Sequence, residues 1–237
     1  LLIRQESDYR HSHSDVKGKR HLPSIRLAPL GAFAILLVGL TPFPMNLLVI
    51  YAHPNPKSLN AAAKDAFLQG AKEAGHVTHL IDLYQENFDP VLRTPEGSGE
   101  NGEIVKKHQD LIRWADWMVF VHPVWWMRAP AILEGWFDRV LNAGFAFRYK
   151  KVLGFIGVPV GLLPCKKALS IHTYGGPGFA IRWLMGNIAW RRLKNTVLRL
   201  CGVKILRHLP FYSAQSANEE ARKKWLSKVK KAASGLR

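Results

Sequence analysis

The chain has 237 residues, 48% hydrophobic and 22% charged, which suits one folded domain with a substantial core rather than a disordered chain. Its two cysteines, Cys165 and Cys201, stand far apart and in no ligand spacing, which argues against a disulfide framework or a zinc site and fits a reducing, cytoplasmic setting. The net charge of +17 is lopsided: residues 151–237 hold 17 Lys/Arg against 2 Asp/Glu, a balance that suits nucleic acid, an anionic membrane, a dinucleotide phosphate or an acidic protein.

Residues 1–44 run from LLIRQESDYRHSHSDVKGKR into an apolar stretch, and residues 27–50 carry no charge, a length that could span a bilayer. Pro29, Pro42 and Pro44 interrupt that stretch, and its last part reads as a buried strand. The expectation is therefore an upstream extension, 1–44, preceding a domain of residues 45–237. A signal peptide or anchor is the competing reading.

From Met45 the pattern alternates. MNLLVIYA is an apolar run of buried-strand type, and Ser58 or Asn60 can cap a helix through AAAKDAFLQGAKEAG, with Ala63, Phe67 and Ala71 near one face. Gly75 ends that helix and VTHLIDLY reads as a second strand. A turn-rich segment follows, then a helix over IVKKHQDLIRWA with Ile104, His108, Leu111 and Ile112 on or near one side. DWMVFVH is a third strand and AILEGWFDRVLNAG a helix started by Pro130. KKALSIHT is a fourth strand, residues 179–202 read as a long helix breaking at Gly186, VKILRHLPFY as a fifth strand, and NEEARKKWLSKVKKA as a terminal helix. Five strands alternating with helices predict a doubly wound, five-stranded parallel sheet with helices on both faces.

No Walker loop and no G-x-G-x-x-G follows the first strand, which disfavours a standard dinucleotide site. The flavodoxin-like order of the same architecture, which holds flavin outside the carboxyl ends of strands one and three, remains.

Three loops at strand ends could share one ligand. In YAHPNPKSLN, Ser58 and Asn60 can donate to phosphate oxygens at a helix start, and His53 can add a further bond. In HPVWWMRAP, two adjacent tryptophans cannot both enter the core, so one is expected to line a flat pocket. Backbone groups from Val124 to Met127 can meet a ring edge. In HTYGGPG, Gly175 and Gly176 allow close approach of backbone to a ligand.

With these pieces in view, the chain resembles the NAD(P)H:quinone oxidoreductase family of flavodoxin-like proteins. The resemblance rests on LLVIYAHPNPKSLN, on DLY with NFDPVL, on WADWMVFVHPVWWMRAPAILEGWFDRVLNAGFAFRY, and on KKALSIHTYGG and LRLCGVKIL in that order. It implies an enzyme that binds FMN or FAD, works as a homodimer, and passes two electrons from NAD(P)H to a quinone-like small molecule by alternating hydride transfer. It further implies that His53, Ser58, Leu59 and Asn60 contact the cofactor phosphate and ribityl chain. Pro123, Val124, Trp125, Trp126 and Met127 would form the isoalloxazine loop, and Thr173, Tyr174, Gly175 and Gly176 the second flavin edge. Trp126, Phe147 and Tyr149 would act at the acceptor site, the last two against the dimer partner. One departure stands out: the animal enzymes place a tyrosine and a histidine soon after the GG, and none occurs here between Gly176 and Trp190. The alternatives are a flavin-binding regulatory subunit of a membrane transporter, touching membrane or transporter through the basic last third, and a flavodoxin-type electron carrier. No nucleic-acid module accompanies the charge, and no metal site is expected.

Overall fold

The computed structural model describes residues 43–93, 102–153, 155–163 and 166–237. The expected extension of residues 1–44 lies almost wholly outside these. Five parallel strands form the central sheet: β1 (Asn46–Tyr51), β2 (Val77–Asp82), β3 (Trp117–Pro123), β6 (Lys167–Thr173) and β7 (Ile205–Phe211). Their order is β2-β1-β3-β6-β7. The register is continuous across the centre, Val49 pairing with Leu80 on one side and Val119 on the other, and Val119 with Leu169. The doubly wound flavodoxin-like architecture is what the alternating pattern predicts.

Strand alternation splits the core in two. Leu47, Val49 and Tyr51 face the same side as Trp117, Val119, Val121, Leu169 and Ile171, where α1 (Leu59–Glu73) supplies Ala63, Phe67 and Ala71, and α5 (Glu219–Ser234) supplies Val229 and Ala233. Leu48, Ile50, Met118 and Phe120 face the other side, against α2 (Glu103–Trp114) and α3 (Ala131–Val140), with Val105, Ile112, Leu133 and Trp136 in contact. Because β1 and β3 are buried on both faces, they read as unbroken apolar runs rather than alternating ones. The helices α1 and α5 pack closely at Gly70, where a Cβ would lie 2.4 Å from the Lys230 carbonyl oxygen.

Several boundaries differ from the sequence expectation. The fully buried positions of α2 are Val105, His108, Gln109 and Ile112, while Ile104 and Leu111 are half-buried and pack against the same core. His108 draws the helix inward, its Nδ1 accepting from Trp136 Nε1 at 3.1 Å and its Nε2 lying 2.8 Å from Glu86. Asn60 is not a cap: it sits inside α1, and Ser58 is the N-cap, accepting from the Ala61 amide at 3.1 Å. The long helix of 179–202 is broken into a π-helical turn (Ala180–Leu184), a short α4 (Ile188–Arg192) and a second π-helical stretch (Leu193–Leu198). The break itself falls where expected, at Gly186 (φ 58°), with Asn187 (φ 51°) beside it also in the left-handed region. An antiparallel hairpin, β4 (Phe147–Val152) and β5 (Ile156–Gly161), occupies a stretch for which the pattern predicts no element. Among the described residues no helix is long and apolar enough to cross a membrane.

Candidate functional site

All five parallel strands deliver their carboxyl ends to one edge, and the order reverses between β1 and β3, which opens a crevice there. Backbone bonds extend the ladder beyond the strands and set the loops side by side. The Ala52 amide donates to Val121 O at 3.1 Å, the Val124 amide to Thr173 O at 2.8 Å, and the Tyr174 amide to Phe211 O at 2.8 Å. A cavity of about 330 Å³ results, lined by His53, Ser58, Leu59 and Asn60 from the first loop, Pro123, Val124 and Trp125 from the second, and Thr173, Tyr174 and Gly175 from the third. Ten of the residues named from sequence thus meet in one place.

The first wall is the start of α1, whose leading amides have no partner within the helix and whose dipole favours an anion. Asn60 is 3% exposed; its Nδ2 donates to Thr173 Oγ1 at 2.9 Å, while its buried Oδ1 has no partner. His53 Nδ1 accepts from the Asn55 amide at 3.0 Å, so the neutral ring carries its proton on Nε2 as a further donor. Burial holds the His53 pKa below the ordinary histidine value, which keeps that neutral form at pH 7.

Trp126 and Met127 occupy the tip of a two-residue turn closed by reciprocal Trp125–Arg128 backbone bonds of 3.0 Å, both with positive φ (51° and 58°). That is the geometry of a type I′ turn, normally built from asparagine and glycine. The turn leaves Trp125 on the cavity wall, 6.0 Å from the His53 ring between centroids, and Trp126 93% exposed. Trp126 is therefore not part of the cavity lining, and neither are Met127 and Gly176. Met127 packs beside Val124 against Tyr174, Ile181 and Ala189.

Phe147 and Tyr149 also lie elsewhere within this chain. As alternate residues of β4 they share a face, their rings 5.6 Å apart and edge-on, and they line a second cavity of about 350 Å³ with Phe137, Leu141, Pro159, Arg192 and Leu200. The hairpin carries them away from the β1–β3 crevice.

Sequence reasoning missed Ala214, Gln215 and Arg222, which complete the first cavity. The Ala214 amide donates to Tyr174 O at 2.9 Å, and this fixes the loop after β7 beside the glycine pair. The signal was available, because a loop leaving a fifth parallel strand must reach the same edge. Arg222 is the only ionised side chain on the lining, and no carboxylate is present there. The donor set fits an anionic, hydroxyl-bearing ligand: helix amides, His53 Nε2, the Ser58 hydroxyl and Arg222 for phosphate oxygens, and Asn60 Oδ1 for a hydroxyl donor.

A family model described as flavodoxin-like fold matches residues 45–233. Over 214 residues the chain is 30% identical to the ribosyldihydronicotinamide dehydrogenase [quinone] of Rattus norvegicus, covering 78% of this chain and 90% of that one. The chain belongs to the flavodoxin-like fold family, among the NAD(P)H:quinone oxidoreductases. It is also 38% identical over 136 residues to an uncharacterized NAD(P)H oxidoreductase of Haemophilus influenzae, covering 55% of this chain and 65% of that protein. The solved NAD(P)H:quinone oxidoreductase of Methanothermobacter marburgensis superposes with a TM-score of 0.70 at 27% identity, covering 82% of this chain and all of the other. In open α/β sheets generally, ligands bind in the crevice at such a switch point.

Proposed function

We propose that the β1–β3 cavity holds the phosphate and ribityl chain of a flavin, and that the protein passes two electrons from NAD(P)H to a quinone-like acceptor. The observation that carries this reading is Asn60 Oδ1, a buried acceptor without a partner, in a cavity that opens on a helix start and has no carboxylate on its lining. A buried acceptor left unpaired costs about 1–3 kcal/mol, which a ribityl hydroxyl would recover. FMN and FAD both carry this chain and phosphate. The quinone dehydrogenases to which the chain is similar supply the reaction class.

A bound flavin supplies the two-electron chemistry. The protein's part is to hold and orient. Ser58, the Leu59 and Asn60 amides, His53 Nε2 and Arg222 grip the phosphate, and Thr173 orients Asn60 toward the ribityl chain. Trp125 and the Val124–Met127 backbone border the ring. Phe147 and Tyr149, remote from the cavity within one chain, act on a second copy's site in a homodimer, where Trp126 is also available to the acceptor.

The deciding experiment is the visible spectrum of the purified full chain, chromatographic identification of released flavin, and anaerobic bleaching by NADPH followed by quinone-driven recovery. A protein that neither carries flavin nor binds added FMN or FAD would end this reading.

A further inference from the structure

The segment 179–190, which leaves the glycine loop, has an apolar outer side beside the site: Phe179, Trp183 and Leu184 are 63%, 80% and 77% exposed. Its inner side seats Ile181 and Ala189 against Tyr174, Val124 and Met127, residues of the second and third loops. Its backbone turns at Asn187, which adopts φ 51°, ψ 43°. The Asn187 amide donates to Ile181 O at 2.8 Å and its carbonyl accepts from the Arg191 amide at 3.0 Å, so the turn links the π-helical stretch to α4.

The half-buried Asn187 side chain heads a chain of hydrogen bonds that runs into the buried sheet. Its Oδ1 can only accept, so the Tyr174 hydroxyl donates to it, at 3.4 Å. The Tyr174 oxygen is then the acceptor for His172 Nδ1–H at 3.3 Å, and His172 Nε2 accepts from the Ser170 hydroxyl at 2.5 Å. One histidine tautomer satisfies every link. His172 and Ser170 are fully buried in β6, so the chain ends in the rigid centre of the sheet. His122 and His208 flank His172 with ring centroids 4.3 and 4.9 Å away. Burial keeps His172 neutral, as this tautomer requires. Besides the Arg182 Nε bond to the adjacent Gly178 O at 3.4 Å, Asn187–Tyr174 is, among the described residues, the side-chain hydrogen bond that ties segment 179–190 to the end of β6.

We infer that Asn187 is a positioning residue: through Tyr174 and His172 it fixes the height of segment 179–190 beside the cavity and thereby sets which acceptors the site admits. The inference rests on the flavin and acceptor reading for its consequence, but the anchoring itself does not need a bound cofactor. Asn187→Gly keeps the left-handed backbone and deletes the acceptor atom, whereas Asn187→Asp keeps both.

Two measurements on the full chain test it. The first is the rate of tryptic cleavage after Arg182 in cofactor-free protein, with native-state spectra checked. Asn187→Gly should raise it about fivefold, the weight of one net hydrogen bond, and Asn187→Asp should match the parent. The second is KM for a bulky and for a small quinone in protein of equal flavin content. Asn187→Gly should change KM for the bulky acceptor by about the same factor, leaving kcat with the small one nearly constant. Unchanged cleavage in Asn187→Gly, or failure of Asn187→Asp to restore parental behaviour, would overturn the anchoring. Altered cleavage with both KM values moved alike would overturn the role in acceptor choice. A parent that binds no flavin would instead refute the functional reading, and the cleavage result would still judge the anchor.

Discussion

Asn60 Nδ2 donates to Thr173 Oγ1 across 2.9 Å, joining the head of α1 to the end of β6 over 113 residues of sequence. The bond fixes the amide so that its other atom, Oδ1, faces no protein donor. A ligand hydroxyl at that point completes the set. Asn60→Ala should therefore weaken flavin binding by up to about tenfold, since a net hydrogen bond between neutral groups is worth about 0.5–1.5 kcal/mol. Titration of cofactor-free protein with FMN and FAD measures this. Unchanged affinity would place the ribityl chain elsewhere.

Arg222 should act through charge. Arg222→Gln is expected to lower flavin affinity and to flatten its dependence on salt, because an exposed cation against phosphate is screened over about 8–10 Å at physiological ionic strength. Dissociation constants at low and high salt, compared for parent and variant, provide the check. Parallel salt slopes would remove Arg222 from the phosphate contact.

The two tryptophans should separate. Trp125 borders the cavity, so Trp125→Ala should release flavin, whereas Trp126→Ala should retain it and slow transfer to the acceptor. Trp126→Asn should in addition stabilise the fold by up to about 1 kcal/mol, because asparagine tolerates the left-handed backbone that tryptophan occupies at φ 51°. Thermal unfolding and flavin content of the three variants decide it. A Trp126→Asn protein less stable than the parent would show that the exposed ring contributes contacts outweighing the strain.

The buried histidines should make the fold sensitive to acid. Burial lowers the pKa of His122 to about 4 and of His208 to about 3, both below the 6.5 of the unfolded chain. A depressed histidine binds its proton more weakly when folded, so its stabilisation is present above pH 6.5 and is lost as pH falls toward the folded value. His122 alone should remove about 3 kcal/mol between pH 6.5 and pH 4. Denaturant unfolding across that range, repeated with His122→Phe, should show a shallower pH dependence in the variant.

Gly70 tests the packing of α1 on α5. Gly70→Ala places a Cβ 2.4 Å from the Lys230 carbonyl oxygen, a backbone atom that cannot swing aside. The expected loss is about 1–3 kcal/mol despite the better helix propensity of alanine. A rise in melting temperature would mean that the helices separate at little cost.

The architecture was legible in the sequence because a parallel sheet buried on both faces leaves long-range signals: unbroken apolar strands, helices with one apolar side, and loops of distinct chemistry at each strand's carboxyl end. The cavity residues from His53 to Gly175 followed from that logic, since topology alone sends those loops to one edge. Other features depended on partners distant in the chain. Asn60 reads as a cap until Thr173 is found opposite it, and Arg222 reads as a surface cation until the loop after β7 is pinned to Tyr174. The direction of Trp126 was settled by a type I′ turn that its residue types do not favour, held by the neighbouring Trp125–Arg128 bonds. The hairpin of Phe147 and Tyr149 and the Tyr174–Asn187 hydrogen bond were hidden for the same reason, whereas the break beside Asn187 was announced by Gly186. Local pattern reports which face of an element is apolar, whereas side-chain partners and left-handed turns are fixed by groups that only the folded sheet brings within reach.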